Sequence, residues 1–257
     1  MVSSDLENLI RQEIAAVAAR KTILDQLEGG LKTGAELRDA IAKTEKAAMV
    51  AKGVSKRKIA DYEVTSPKLY HNTRRLEELG IIVSWKQSQY RLFELEPKAI
   101  HAVRRALNIE RPIMYVTSMS KPEDQRPLIQ WISTNPHYKP TKLLVFVEAR
   151  HWTRGVSRIM DRFIPEDAFR RWTTEWREIP EDVMGGEGEM EYGELQGTCD
   201  FIENALLPYV PQHEIVVDLT LAPTLIALAL MRIAHEYTLE VFHVNRYDAE
   251  NADITYL

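Results

Sequence analysis

The chain has 257 residues, 45% of them hydrophobic and 28% charged, which is enough for two modest domains that each bury a core. Its longest strongly apolar run, residues 220–231, is too short to cross a bilayer, and residues 1–5 lack the basic and apolar segments of a secretory signal. Because its one cysteine, Cys199, cannot form an internal disulfide, we expect a cytoplasmic protein.

The net charge of −5 is unevenly divided along the chain. Residues 1–112 hold 20 Lys and Arg against 15 Asp and Glu, a net charge of +5. Residues 113–257 hold 13 against 23, a net charge of −10. Only the front half therefore carries a field that attracts a polyanion, and the split predicts two modules.

The first predicted elements are helical. Apolar residues recur at helical spacing from Leu6 to Leu27 and predict one long helix that ends at Gly29. Thr33, followed three residues later by Glu36, has the pattern of a capping box and predicts the start of a second helix. The N-terminal half of the first helix could pair with a second subunit or pack against its own domain.

A third helix is predicted to begin at Ser66-Pro67 and to end at Gly80. At 100° per residue, His71 and Arg74 point away from its apolar face. Two short strands, residues 81–85 and 90–93, flank a polar turn at 86–89 and predict a hairpin.

Helix, helix, basic helix and hairpin is the order of a winged helix-turn-helix domain, which we assign to residues 1–96. The segment 74–82 resembles the end of the recognition helix in bacterial and archaeal winged-helix regulators. The resemblance implies binding to the major groove or the phosphates of double-stranded DNA. The residues expected to contact the DNA are Lys68, Tyr70, His71, Arg74 and Arg75 of the helix and Lys86 at the wing tip. The alternative is a solvated basic face on a protein-interaction module.

Residues 43–64 form an insertion where winged helices usually have a short turn. The insertion is basic and includes Lys56, Arg57 and Lys58. It could supply extra phosphate contacts or form a flexible, solvated loop, and the sequence leaves both open.

After a predicted linker helix in residues 97–112, the pattern changes to short apolar runs that alternate with helices. The strands are predicted at 113–117, 143–147, 176–179, 215–219 and 239–244, and the helices at 127–132, 156–163, 195–207 and 223–235. This alternation predicts a Rossmann-like α/β domain, residues 113–257, whose parallel sheet is covered on both faces.

Polar or small residues follow three of these strands. Since ligands bind beyond the carboxyl ends of strands in open α/β sheets, we expect a ligand site there. Its candidate residues are Thr117, Ser118 and Met119 after the first strand, Arg150, His151 and Trp152 after the second, and Thr220, Leu221, Ala222, Pro223 and Thr224 after the fourth. The dinucleotide-binding and P-loop glycine motifs are both absent from the sequence.

The segment 216–224, an apolar strand ending in Asp-Leu-Thr before a small-residue turn and an apolar helix, resembles the second ligand motif of the CRISPR-associated Rossmann fold (CARF) family. The turn at 117–120 is similar to the first motif of that family. The chain departs from the family at Leu221-Ala222, where two glycines are usual, and in the order of the two domains. The resemblance implies a homodimer that binds a cyclic oligoadenylate effector, a nucleotide second messenger of antiviral defence.

The leading interpretation is a DNA-binding transcription regulator controlled by that effector. The resemblance also leaves an enzymatic alternative, a metal-independent ring nuclease that would use Thr117, Ser118, Arg150 and His151. A third alternative is a nucleic-acid-binding module without a small ligand. The seven histidines show no paired metal-ligand spacing, so we expect no structural metal and no resident cofactor.

Overall fold

The computed structural model describes residues 5–119, 125–135, 137–148, 172–184, 192–245 and 254–257. The chain divides into two compact units, with the division between Ile109 and Glu110. We call the part up to Ile109 the first unit and the part from Glu110 the second unit. In the described ranges, no helix is both long and apolar enough for a membrane span.

The first unit combines helices with a three-stranded antiparallel sheet of order β1-β3-β2. Its elements are α1 (Asp5–Ala16), α2 (Ala18–Glu28), β1 (Lys32–Thr33), α3 (Gly34–Ala51), α4 (Lys56–Ala60), α5 (Ser66–Glu78), β2 (Ile82–Gln87), β3 (Tyr90–Leu95) and α6 (Ile100–Leu107).

The long first helix of the sequence prediction is wrong, because Val17 has extended backbone angles (φ −139°, ψ 108°) and separates α1 from α2. In one straight helix, the buried residues of α1 and those of α2 would point roughly a third of a turn apart. The break allows both helices to bury their apolar residues, including Ile10 and Leu24, in the same unit. The N-terminal half of α1 thus packs against its own unit, where it contacts α6.

The predicted helix starts and stops are confirmed where they depend on local chemistry. Thr33 and Glu36 form the capping box at the start of α3. The helix α5 spans Ser66–Glu78, and Gly80 follows it with φ +68°, a conformation that a residue without Cβ adopts at no steric cost. The hairpin turn is tighter than predicted, since β2 and β3 are joined by Ser88 and Gln89 alone.

Residues 43–64 are largely helical in the structure rather than a loop. They complete the 18-residue helix α3 and include α4. The helix that the sequence analysis assigned to a linker forms α6, which packs against α1 and α2 within the first unit. There the Nε of Arg104 lies 2.8 Å from Oε1 of Glu28, and both side chains are buried.

The second unit contains a six-stranded sheet of order β6-β5-β4-β7-β8-β9. Its elements are β4 (Ile113–Ser118), α7 (Gln125–Thr134), β5 (Pro140–Glu148), β6 (Thr173–Ile179), α8 (Glu181–Met184), α9 (Tyr192–Leu206), β7 (Glu214–Asp218), α10 (Thr224–Glu236), β8 (Glu240–Val244) and β9 (Ile254–Tyr256). The predicted helix at 156–163 lies outside the described residues.

The mixed α/β architecture and the parallel strands are confirmed: β4, β5, β6, β7 and β8 pair in parallel. The sequence analysis missed β9, which pairs antiparallel with β8 at one edge. This architecture is that of a Rossmann-like sheet.

Alternating residues of the central strands pack on opposite faces of the sheet. Tyr115, Val145 and Val216 belong to one core cluster, together with Leu128 and Ile129 of α7. The buried residues of α9 and α10 lie outside that cluster, on the other face. Both faces are therefore covered, which explains why the central strands are apolar on both sides.

Candidate functional site

The carboxyl ends of β4 and β7 meet at the centre of the second unit. These strands are neighbours in the sheet although they are far apart in the chain, and Thr117 is the register partner of Asp218. From β4 the chain winds toward β5 and β6 on one side, and from β7 toward β8 on the other. Such a reversal of strand order opens a crevice at the carboxyl edge, where ligands bind in open α/β sheets. Two of the three predicted strand ends are thus brought together.

Asp218 organises the turn that follows β7. Its Oδ2 accepts a hydrogen bond of 2.5 Å from the Tyr115 hydroxyl, and its Oδ1 accepts one of 2.9 Å from the backbone N–H of Thr220. The Thr220 hydroxyl also donates to Oδ1 and accepts a 2.8 Å bond from the N–H of Val244. These bonds fix the turn that follows β7 and connect it to the end of β8, so Asp218 serves as an anchor.

The turn leads directly into α10, whose N-terminus faces the same edge. Leu221, Ala222 and Pro223 are half-buried, and Thr224 is exposed at the first position of the helix. Pro223 occupies the N-cap position, where no side chain bonds the first N–H groups. An uncapped helix N-terminus has free donors and a positive dipole end, so it can hold a phosphate.

The end of β4 carries two buried hydroxyl groups. Thr117 and Ser118 are fully buried, and in the part of the chain that the structure describes neither hydroxyl has a hydrogen-bond partner. Thr117 shares its face of the sheet with Asp218, while Ser118 points to the opposite face. Met119 is also buried, and its N–H lies 3.4 Å from the carbonyl of Phe146. The predicted hydroxyls are therefore at the switch point, unbonded and inside the protein.

A residue that sequence reasoning missed lies at the same edge. Gln125, the first described residue of α7, is fully buried, and neither its Oε1 nor its Nε2 has a hydrogen-bond partner among the residues that the structure describes. The sequence could have indicated it, because Gln125 lies three, four and seven residues before Leu128, Ile129 and Ile132. This spacing puts a polar residue on the apolar stripe of the helix.

The third predicted strand end, Arg150, His151 and Trp152, lies outside the described residues. The part of the chain that the structure describes contains no group of three or more His, Cys, Asp or Glu arranged to hold a metal ion.

In the first unit, the predicted basic residues of α5 have different surroundings. Tyr70, His71 and Arg74 are exposed, as the helical pattern predicted. Arg74 bonds Glu78 one turn later, with Nε to Oε1 at 2.9 Å. Arg75 reaches back to the buried carboxylate of Glu13, with its Nη2 2.9 Å from Oε1.

Lys68 is held against α3. Its Nζ donates to both carboxylate oxygens of Glu45, at 2.6 and 2.7 Å, and lies 3.1 Å from the Tyr62 hydroxyl. The bond to Glu45 raises the pKa of Lys68, so its ammonium group stays charged. The contact connects residues 43–64 to α5.

Arg91 of β3 is a further residue that the sequence analysis did not assign to the basic surface. Its guanidinium lies 5.7 Å from the Tyr70 ring and bonds Ser84 and Glu77 at 2.9 and 3.2 Å. It thereby connects the hairpin to α5. The remaining predicted cations, Lys56, Arg57, Lys58 and Lys86, are all exposed.

Comparisons with known proteins place the chain in no established family. No family model matches, and no curated protein matches either. Among solved structures, the chain resembles Enterococcus italicus Csm6 bound to cyclic hexa-2'-fluoro-hexa-dAMP, with 14% identity and a TM-score of 0.37. The likeness covers 53% of this chain and only 35% of the Csm6 chain.

Proposed function

We propose that the protein is a DNA-binding regulator whose second unit binds a nucleotide effector of the cyclic oligoadenylate class. The observation that carries the proposal is the edge formed by β4 and β7. There, the buried and unbonded hydroxyl of Thr117 lies beside the anchored turn at Asp218, and the uncapped N-terminus of α10 follows. A hydroxyl without a partner and a helix N-terminus without a cap are groups that a phosphate-bearing ligand can satisfy.

The choice of ligand class rests on the resemblance of residues 216–224 to the second CARF motif. In this proposal, the phosphates of the ring approach the N–H groups at Thr224, and Thr117 bonds a ribose or base. The proposed assembly is a homodimer, which presents two such edges to one ring.

The test is the thermal stability of the purified protein with cyclic tetra-adenylate, with cyclic hexa-adenylate and with linear oligoadenylate. A ligand that binds only the native state raises the melting temperature. At a hundredfold excess of ligand over Kd, it adds roughly 2.7 kcal/mol to the free energy of unfolding. We expect one ring to raise it and the linear control to leave it unchanged. No shift with either ring would remove the effector from the proposal.

For the first unit, we propose a winged helix that binds double-stranded DNA. The order of α5 and the β2–β3 hairpin, and the exposed side chains of Tyr70, His71 and Arg74, support it. Because Arg74 and Arg75 are already paired with carboxylates, we expect much of the phosphate contact to come from the exposed residues Lys56–Lys58.

A salt titration of duplex DNA binding tests this. Each phosphate contact contributes close to one unit to the slope of log affinity against log salt, so K56Q/R57Q/K58Q should lower the slope by roughly 2 to 3. The charge-matched control K21Q/K98Q/K139Q removes three exposed lysines elsewhere and should leave the slope nearly unchanged. A wild-type affinity that is insensitive to salt, or an equal loss in the control, would contradict the proposal.

The two activities are coupled if the ring changes the DNA affinity. By thermodynamic linkage, DNA must then change the affinity for the ring by the same factor. Measuring both factors on the full chain checks that the coupling is real, whichever sign it has.

A further inference from the structure

The amide of Gln125 is the buried polar group in the second unit that most requires an explanation. It is fully buried, and within the described ranges neither its acceptor nor its donor has a partner. An unsatisfied buried polar group lowers the stability of a protein, and this side chain carries two such atoms. Native proteins keep such groups where a ligand or ordered water completes their bonding.

The fold determines which edge of the sheet Gln125 occupies. The helix α7 connects the parallel strands β4 and β5, so it runs opposite to them and begins at their carboxyl edge. Gln125 is its first described residue and lies on the same stripe as Leu128, Ile129 and Ile132, which pack against the sheet. The amide therefore faces the sheet at its carboxyl edge, where Thr117 lies near the end of β4.

The face of the sheet is shared as well as the edge. Leu128 and Ile129 pack in one cluster with Tyr115. Thr117 lies two residues after Tyr115 in the same strand, so its side chain points to the same side of the sheet. Asp218, the register partner of Thr117, is anchored on that side by the Tyr115 hydroxyl. The amide of Gln125 and the hydroxyl of Thr117 are thus on the same face of the sheet and at the same edge.

A glutamine amide offers a donor and an acceptor side by side. Adenine matches this pair, because its N6 amino group donates and its N7 accepts. Guanine presents two acceptors on the corresponding edge, O6 and N7, so the amide N–H finds a partner but the amide oxygen faces a second acceptor. Hypoxanthine has the same two acceptors, so an inosine ring differs from an adenosine ring at this edge.

We infer that Gln125 is a specificity-determining residue that binds the edge of an adenine base in the ligand of the second unit. The inference rests on the proposed effector site and names the part of the ligand that the site reads. Thr117 is the neighbouring group available to the same base or its ribose.

The experiment measures the Kd of cyclic hexa-adenylate and cyclic tetra-adenylate, and of the same rings built from inosine, by calorimetry on the full chain. The variants are Gln125→Met, which keeps the length of the side chain and removes both polar atoms, and Gln125→Glu, which removes the donor. The control is Gln130→Met, an exposed glutamine on the same helix.

We expect the wild type to prefer the adenine ring by about fivefold to a hundredfold, the range for one bidentate base contact. Q125M should lose that preference by binding the adenine ring more weakly. Q125E should also bind it more weakly, and Q130M should behave as the wild type. Since Q125M removes an unsatisfied buried amide, its melting temperature without ligand should not fall.

The outcomes separate the inference from the proposed function. A wild type that binds a ring, with a preference for adenine that Q125M and Q125E both retain, would overturn the role of Gln125 and leave the effector site standing. A wild type that prefers the inosine ring would also overturn it. A wild type that binds none of the rings would overturn the proposed effector and this inference together.

Discussion

The two units differ in the bonding of their buried polar groups. In the first unit, the buried carboxylate of Glu13 accepts bonds from Arg20 of α2 and Arg75 of α5. Asn72 is buried as well, and it accepts from Arg20 and donates to the backbone of Lys68. These bonds connect α1, α2 and α5 into one network.

In the second unit, Thr117, Ser118 and Gln125 are equally buried but have no hydrogen-bond partner among the described residues. All three lie at the carboxyl edge of the sheet. A bonded polar group in a core stabilises one arrangement of the helices, whereas an unbonded one costs stability until something binds it. The comparison suggests that the bonded polar groups of the first unit hold its surface in place, and that the second unit, beside the bonded anchor Asp218, keeps Thr117, Ser118 and Gln125 for recognition.

The largest expected effect comes from breaking the buried pair of Arg104 and Glu28. Removing one partner leaves an uncompensated buried charge, so Arg104→Met should destabilise the first unit by about 3–5 kcal/mol in chemical denaturation. The double variant R104M/E28L removes both charges and should recover most of that loss.

The exposed pair of Arg74 and Glu78 provides the matched control for this prediction. Arg74→Met removes a surface ion pair and should cost less than about 1 kcal/mol. Equal losses in R104M and R74M would contradict the view that buried polar bonds hold the first unit together.

A pair of buried threonines, one in each unit, gives a direct test of the contrast. The hydroxyl of Thr73 bonds the carbonyl of Tyr70 at 3.3 Å, while that of Thr117 has no partner. Thr73→Val should lower the free energy of unfolding by about 1 kcal/mol, and Thr117→Val should leave it unchanged or raise it.

Both threonine variants are compared by urea denaturation in the absence of ligand. T117V should also weaken binding of the cyclic ring, whereas T73V should leave that binding intact. If T117V destabilised the protein as much as T73V does, the hydroxyl of Thr117 would have a bonding partner in the unliganded protein.

The smallest effect is a dependence of stability on pH. Burial alone would raise the pKa of Glu7, but hydrogen bonds from Arg105 and Arg11 hold it below the usual value. A carboxyl with a lowered folded-state pKa contributes stability above its unfolded pKa of about 4.3, and this is lost as the pH falls through the folded pKa. Glu7→Gln should therefore flatten the acid limb of the stability curve.

Glu78→Gln is the control for the pH experiment, since Glu78 lies in an exposed pair. The measurement is urea denaturation at several pH values from about 6 down to about 3, a window that brackets the carboxyl pKa. An E7Q protein with the same acid limb as the wild type would show that the bonds to Arg105 and Arg11 do not survive in solution.

Local structure was predictable because it depends on residues close in the chain. The capping box of Thr33 and Glu36 and the stop at Gly80 each follow from a few neighbouring side chains and the φ angle that they allow. The outward direction of His71 and Arg74 follows from helical periodicity alone.

Other features depended on partners distant in the chain. The break at Val17 brings Glu13 and Arg20 together, and Arg75 bonds a carboxylate 62 residues away. The pairing of β9 with β8 also escaped prediction, because a three-residue strand has too short a pattern to recognise.

The sequence by itself therefore determined the two modules, the parallel α/β pattern and the chemistry at two strand ends. Strand periodicity and turn residues carry that information locally. Only the tertiary structure decided that Thr117 and Asp218 are register partners and that Gln125 is buried without a partner. Strand order and burial depend on which distant segments pack together, and no single segment of the sequence specifies that.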